Sequence, residues 1–151
     1  MLKKKVGKII AICQSKIKKE NKTVISEGLI KKNWGLDGDA HAGQYHKQIS
    51  LLSIESIKKM KEQGANIDFG DLFENLVVSG LSIHELPIGT KLKIGDNILL
   101  EITQIGKKEE YLKEIEGKKY SSIMTKEGVF TRVLKGGIVE IEDRIEVISN
   151  D

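Results

Sequence analysis

A chain of 151 residues, 39% hydrophobic and 31% charged, can enclose a real core and is too apolar and too patterned to be disordered. Its net charge is only +3, and just Arg132 and Arg144 among 25 basic residues are arginine; with aromatics at 5%, this disfavours a nucleic-acid-binding surface, which clusters arginine forks with aromatic rings. The single cysteine excludes an internal disulfide or a thiolate metal cluster, and no apolar run approaches the length of a signal peptide core or a membrane span, so a cytoplasmic location is expected.

In chain order, residues 6–14 are β-branched and bounded by lysines, which predicts a strand ending near Cys13. Residues 15–21 read as a lysine-rich loop and 23–29 as a second strand. Trp34 then precedes a glycine-hinged loop, where core packing is its expected role. That loop, residues 35–50, holds three glycines, Asp37, Asp39, His41, His46 and Lys47. Residues 47–52 form a third strand, with Ile49 and Leu51 on one face and His46, Gln48 and Ser50 on the other. Ser53 is a helix N-cap for a helix reaching about Gln63, and Gly64 its C-cap candidate.

Residues 68–74 read as a short helix or turn, 76–78 as a strand and 86–90 as a loop around the single proline. Residues 91–95 and 98–105 form a hairpin around Gly95-Asp96-Asn97. A short amphipathic helix is expected over residues 107–117, with Tyr111, Leu112 and Ile115 on one side. Strands at 120–125 and 129–134 bracket a turn at Lys126-Glu127-Gly128, and strands at 138–141 and 144–148 complete the chain. Short strands outnumber helices, which predicts a mainly β fold: a small barrel or sandwich of mostly antiparallel strands with a few short helices. Nothing in the sequence breaks residues 1–151 into more than one domain.

Four constellations could carry chemistry. Asp37, Asp39, His41 and His46 are of metal-ligating type, but their spacing matches no established metal motif, and hydrogen bonding within the loop is the stronger reading. Gly35, Gly38 and Gly43 could converge backbone N–H groups on an anion, with Lys47 adding charge. Arg132 shares a strand face with Phe130 and Leu134; if that face points inward, it needs a ligand anion or an internal carboxylate such as Glu127 or Asp143. Cys13 could act as a nucleophile only if folding brings it to His41 or His46.

The ordered set Gly35-Leu36-Asp37-Gly38-Asp39-Ala40-His41-Ala42-Gly43, Lys47 to Leu52, Phe73-Glu74-Asn75-Leu76, Leu86-Pro87-Ile88-Gly89, Ile102 to Lys107, Ile123-Met124 and Glu127 to Leu134 with Gly136-Gly137 resembles the MOSC domain, the module named for the C-terminal part of molybdenum cofactor sulfurases. The resemblance implies a β-barrel and a link to the molybdenum cofactor, molybdopterin. Members are regarded as sulfur carriers, or as cofactor-binding parts of molybdenum enzymes that reduce N-hydroxylated compounds. The pyridoxal phosphate attached to the family's description sits on a separate domain of the sulfurases, for which this chain has no room.

Carried onto this sequence, the resemblance implies a cleft in which His41, Lys47 and Arg132 meet phosphate and pterin oxygens while Gln48, Ser50 and Asn75 supply neutral hydrogen bonds. Two departures stand out. Ser122 occupies the place of the family's cysteine, the persulfide carrier or molybdenum ligand, and a hydroxyl carries no persulfide. Lys47 stands where an arginine is common. A molybdopterin-binding role in delivery, sulfuration or regulation follows as the leading expectation. The alternatives are a molybdenum-dependent reductase, a sulfurtransferase using Cys13, or a cofactor-free interaction module. Partners would be molybdopterin itself and proteins of cofactor biosynthesis or molybdenum enzymes, with no nucleic acid and no membrane.

Overall fold

β-Branched runs punctuated by glycine and asparagine leave the chain little choice but short strands. The computed structural model describes residues 5–18, 20–106, 112–115, 118–121 and 123–148. Its strands are β1 (Val6–Gln14), β2 (Thr23–Ile25), β3 (Glu27–Lys31), β4 (Gly35–Leu36), β5 (Ile49–Ser53), β6 (Leu76–Ser79), β7 (Lys91–Ile94), β8 (Ile98–Ile105), β9 (Leu112–Ile115), β10 (Lys118–Ser121), β11 (Val129–Lys135), β12 (Gly137–Glu140) and β13 (Arg144–Ile148). Helix α1 (Ile54–Glu62) follows β5, α2 (Met124–Glu127) precedes β11, and a 3-10 turn spans Ile83–Glu85.

Seven strands close into a barrel in the order β13-β7-β8-β11-β5-β6-β1, with β1 pairing back to β13. Closure leaves this ring no open edge for another chain to pair with. Every pair in the ring is antiparallel except β5 with β6. A parallel pair needs a crossover, and α1 lies on that connection. Ser53 caps the helix as its sequence position predicts, its side chain accepting from the Glu55 N–H at 3.4 Å. Outside the ring, β2 extends from β1, β12-β3-β4 form a small sheet and β9 pairs with β10.

Two cores result. The barrel interior is aliphatic, with Ile9, Ile49, Leu51, Leu76, Leu92, Leu100, Val129 and Val133 among its residues. A second core lies between the barrel's outer surface and α1, built from Ala11, Cys13, Leu52, Ile57, Met60, Leu72, Val77, Met124 and Phe130. The alternation read for residues 49–52 therefore serves both cores, one on each face of β5.

Several sequence expectations are corrected. The stretch 23–29 breaks at Ser26 because β2 pairs with β1 while β3 pairs with β12. Residues 112–115, expected as part of a helix, are strand, because pairing with residues 118–121 overrides the helical pattern; Tyr111 lies outside the described residues. Lys126 and Glu127 end helix α2 instead of forming a hairpin turn. Trp34 is 42% exposed and plugs no core.

Arg132 does not face inward. On β11 the interior positions are Val129, Thr131 and Val133, so Arg132 points to solvent and pairs with Glu101 at 2.7 Å. Neither Glu127 nor Asp143 is its partner in that pair.

Candidate functional site

The glycine loop is tied down from within. Asp37 N–H donates to Leu29 O, Asp39 N–H to Leu36 O, Ala40 N–H to Ser15 O, Ala42 N–H to Asp39 O and Gly43 N–H to Trp34 O. Among the glycines that could have converged N–H groups on an anion, Gly43 has its donor spent on the protein. The glycines serve close approach and turning: Gly35 has φ 128° and packs against the Gln48 carbonyl, and Gly38 has φ 86°.

The four metal-type residues also part company. Asp37 pairs with Lys31 at 3.3 Å on the surface, and His46 lies beside Gln104 with 2.9 Å between Nε2 and Oε1. Asp39 is buried, accepting from the Ser15 N–H at 3.0 Å and from Lys22 Nζ at 2.6 Å. Among the described residues no three histidine, cysteine, aspartate or glutamate side chains converge as a metal site.

What the loop does is deliver His41 and Lys47 to one wall of a cleft. Tyr45 O–H donates to His41 O at 2.7 Å and curls the loop over. Lys47 then stands over the Phe130 ring, 5.5 Å from its centroid, a cation–π contact, and makes no ion pair among the described residues. The floor is set by β5 and β6. Ser50 N–H donates to Asn75 Oδ1 at 3.0 Å, Asn75 N–H donates to Ser50 O at 3.0 Å, and Asn75 Nδ2 donates to Cys13 O at 3.2 Å. These bonds stitch β1, β5 and the start of β6 together. They also use most of the polarity that Ser50 and Asn75 bring.

The opposite wall is residues 70–74. Phe73 sits at φ 67°, a conformation that strains a bulky side chain by roughly 1–3 kcal/mol. It is held there by its own N–H donating to Gly70 O at 3.1 Å and by Ser50 Oγ donating to Phe73 O at 3.2 Å. Beneath it the Glu74 carboxylate is fully buried. Burial pushes the Glu74 carboxyl up to about 7, against the backbone N–H groups of Gly70, Glu74 and Leu72, which favour its anion. Leu72 N–H donates to Oε1 at 3.1 Å, while Oε2 has no hydrogen-bond partner among the described residues.

The result is a cleft of about 550 Å³, open mouth included, lined by His41, Tyr45, Lys47, Ser50, Leu72, Phe73, Asn75, Met124 and Phe130. Of the residues expected to bind, His41, Lys47, Ser50 and Asn75 line it. Gln48 does not: it is buried, donating from Nε2 to Asn33 Oδ1 at 3.0 Å and accepting the Val133 N–H on Oε1 at 2.9 Å, a bracket between β11 and the loop. Arg132 does not line it either, for the reason given above. The apolar lining residues Leu72, Phe73, Met124 and Phe130 were not among those expected to bind, although Phe73, Met124 and Phe130 stand in the ordered motifs.

The model of the MOSC domain matches residues 37–146, most of the chain. The chain belongs to the MOSC domain family. Its fold is similar to that of the YuaD protein from Bacillus subtilis, with a TM-score of 0.76, 20% identity and 97% of each chain covered. It is also similar to YiiM from Geobacillus stearothermophilus, with a TM-score of 0.67, 17% identity, and 95% of this chain and 75% of that one covered. YiiM from Escherichia coli aligns with a TM-score of 0.60 at 15% identity, over 96% of this chain and 71% of that one. The sequence matches no curated protein.

MOSC domains are often tied to the molybdenum cofactor, so the position of sulfur in this one matters. Cys13 is fully buried in the second core. Burial, with Glu74 nearby, pushes its thiol up to about 12, so at neutral pH it is a packed thiol and not a thiolate. Its link to the cleft is through its backbone, by way of Asn75. Ser122, expected at the place of the family cysteine, lies outside the described residues. No helix among the described residues is long and apolar enough to cross a membrane.

Proposed function

We propose that this MOSC domain binds a molybdopterin-type anionic ligand in the cleft and serves in delivery or regulation of the molybdenum cofactor in the cytoplasm, with molybdenum-enzyme or cofactor-biosynthesis proteins as partners. The observation that supports it most is the convergence of Lys47 and His41 on a hollow that is also walled by Leu72, Phe73, Met124 and Phe130. Lys47 offers a cation and His41 an imidazole, while Phe73, Phe130 and Met124 offer apolar faces to a flat ring. A phosphate or ring oxygen wants the first kind of partner and a pterin the second. The residues present therefore fit the group.

When bound, the cofactor would supply dithiolene sulfur and redox-active molybdenum. The protein's own residues would bind and orient it. Lys47 would neutralise an anionic oxygen, the aromatic walls would exclude water, and Ser50 and Asn75 would keep the floor rigid. Sulfur transfer through Cys13 gains no support from a buried thiol held protonated.

The test is to purify the protein from cells that make molybdopterin and measure pterin fluorescence and molybdenum. Wild type should carry both, and Lys47→Ala should carry much less. Absence of both from wild type, with the cofactor supply intact, overturns the proposal.

A further inference from the structure

The buried network behind His41 assigns a role to a residue that looks, in sequence, like one more surface lysine. Lys22 is fully buried at its side chain, as is Asp39. Its Nζ lies 2.6 Å from Asp39 Oδ1 and 3.0 Å from His41 Nδ1. Asp39 is fixed in turn by the N–H groups of Ser15, at 3.0 Å, and of His41, at 3.3 Å. Lys22 is fixed by its backbone, whose N–H donates to Gly70 O at 2.9 Å. Gly70 has φ 93°, and a Cβ there would fall on the Lys22 carbonyl. One residue thus touches both walls of the cleft: the glycine loop through Asp39 and His41, and the 70–74 segment through Gly70.

The chemistry of the contact with His41 is directional. A lysine ammonium has three donors and no acceptor. Its neighbour at hydrogen-bond distance must accept, so Nδ1 of His41 carries the lone pair and the proton resides on Nε2. An imidazolium would set an N–H against an N–H and a charge against a charge.

We infer that Lys22 is a positioning residue that holds His41 as the neutral Nε2–H tautomer and so fixes the orientation of that ring on the cleft wall. The inference rests on the reading of the cleft as a ligand site.

The experiment is a long-range 15N–1H correlation spectrum of the histidine-labelled full chain near neutral pH. His41 should show a protonated Nε2 and an unprotonated Nδ1. A protonated Nδ1, or an imidazolium, overturns the inference. Lys22→Met alone strands the Asp39 carboxylate, so the companion variant is Lys22→Met with Asp39→Asn, which removes both charges together. In that protein the fixed tautomer should give way to a mixture, and pterin loading should fall on the order of tenfold. A folded double variant that keeps both the wild-type tautomer and wild-type loading removes Lys22 from the role. The tautomer is read without any ligand, so an unloaded wild type would sink the cofactor reading while the spectrum still decides the role of Lys22.

Discussion

The barrel interior and the layer outside it bury residues of very different kinds. Inside, aliphatic side chains from every strand of the ring meet one another, and Thr131, donating to Ile49 O at 2.9 Å, is a polar exception. Outside, between the ring and the loops that cover it, the chain buries a lysine, an aspartate, a glutamate and a thiol within one neighbourhood. An interior without charges needs only volume and pattern. An outer layer with charges needs each one answered by a partner, and buried charges that cluster beside a cleft are candidates for placing something in it. The difference separates what holds this protein together from what the cleft can do.

That separation can be broken from the inside first. Leu51→Ala, a fully buried truncation in the barrel, should lower unfolding stability by roughly 2–5 kcal/mol in denaturant titrations. Loading of the folded protein should be retained, because Leu51 points away from the cleft.

A smaller effect tests the outer layer by pH. The Glu74 carboxyl, raised from 4.5 to about 7, binds its proton more tightly folded than unfolded. Its contribution is therefore fully present below about pH 4.5 and lost as pH rises through about 7, a swing on the order of 3 kcal/mol. Glu74→Gln should flatten that part of the stability–pH curve measured by thermal or urea unfolding. An unchanged slope would show that Glu74 is not the group responsible.

The smallest effect separates the two cations once expected at the same site. Arg132→Ala removes a half-exposed pair with Glu101 and should cost under about 1 kcal/mol in unfolding assays while leaving loading unchanged. A loss of loading there, matching that of Lys47→Ala, would mean that the ligand site extends along β11's outer face from Phe130 to Arg132.

Most of the fold was legible because periodicity and turn chemistry act locally. The limits of β1 and β8, the hairpin at Gly95 and the Ser53 cap all follow from nearby residues. The errors share a root in long-range structure but not a single cause. Alternation tells which residues share a face but not which face is inside, so Arg132 was set beside the right neighbours on the wrong side. The strand at 112–115 depended on a partner that pattern alone does not weigh. In the site, His41, Lys47, Ser50 and Asn75 could be found because they stand in ordered motifs. Gln48 stands in one too, but nothing local says that its amide is spent on Asn33 and Val133. Lys22 was lost among 23 lysines, because burial of one of them is a property of the assembled fold and leaves no local mark.

The pairing of β1 with β13 has a consequence for how the molecule comes into being. The ring is sealed by its first and last strands, which lie more than a hundred residues apart, so closure waits until nearly all of the described chain has left the ribosome. Until then the Val6–Lys8 end of β1 lacks its β13 partner, and the aliphatic interior is an open trough. Sequence-distant closure of this kind makes for slow folding and a long window of vulnerability to aggregation. A surface crowded with lysine, little use to the cleft, would serve the nascent chain well during that wait.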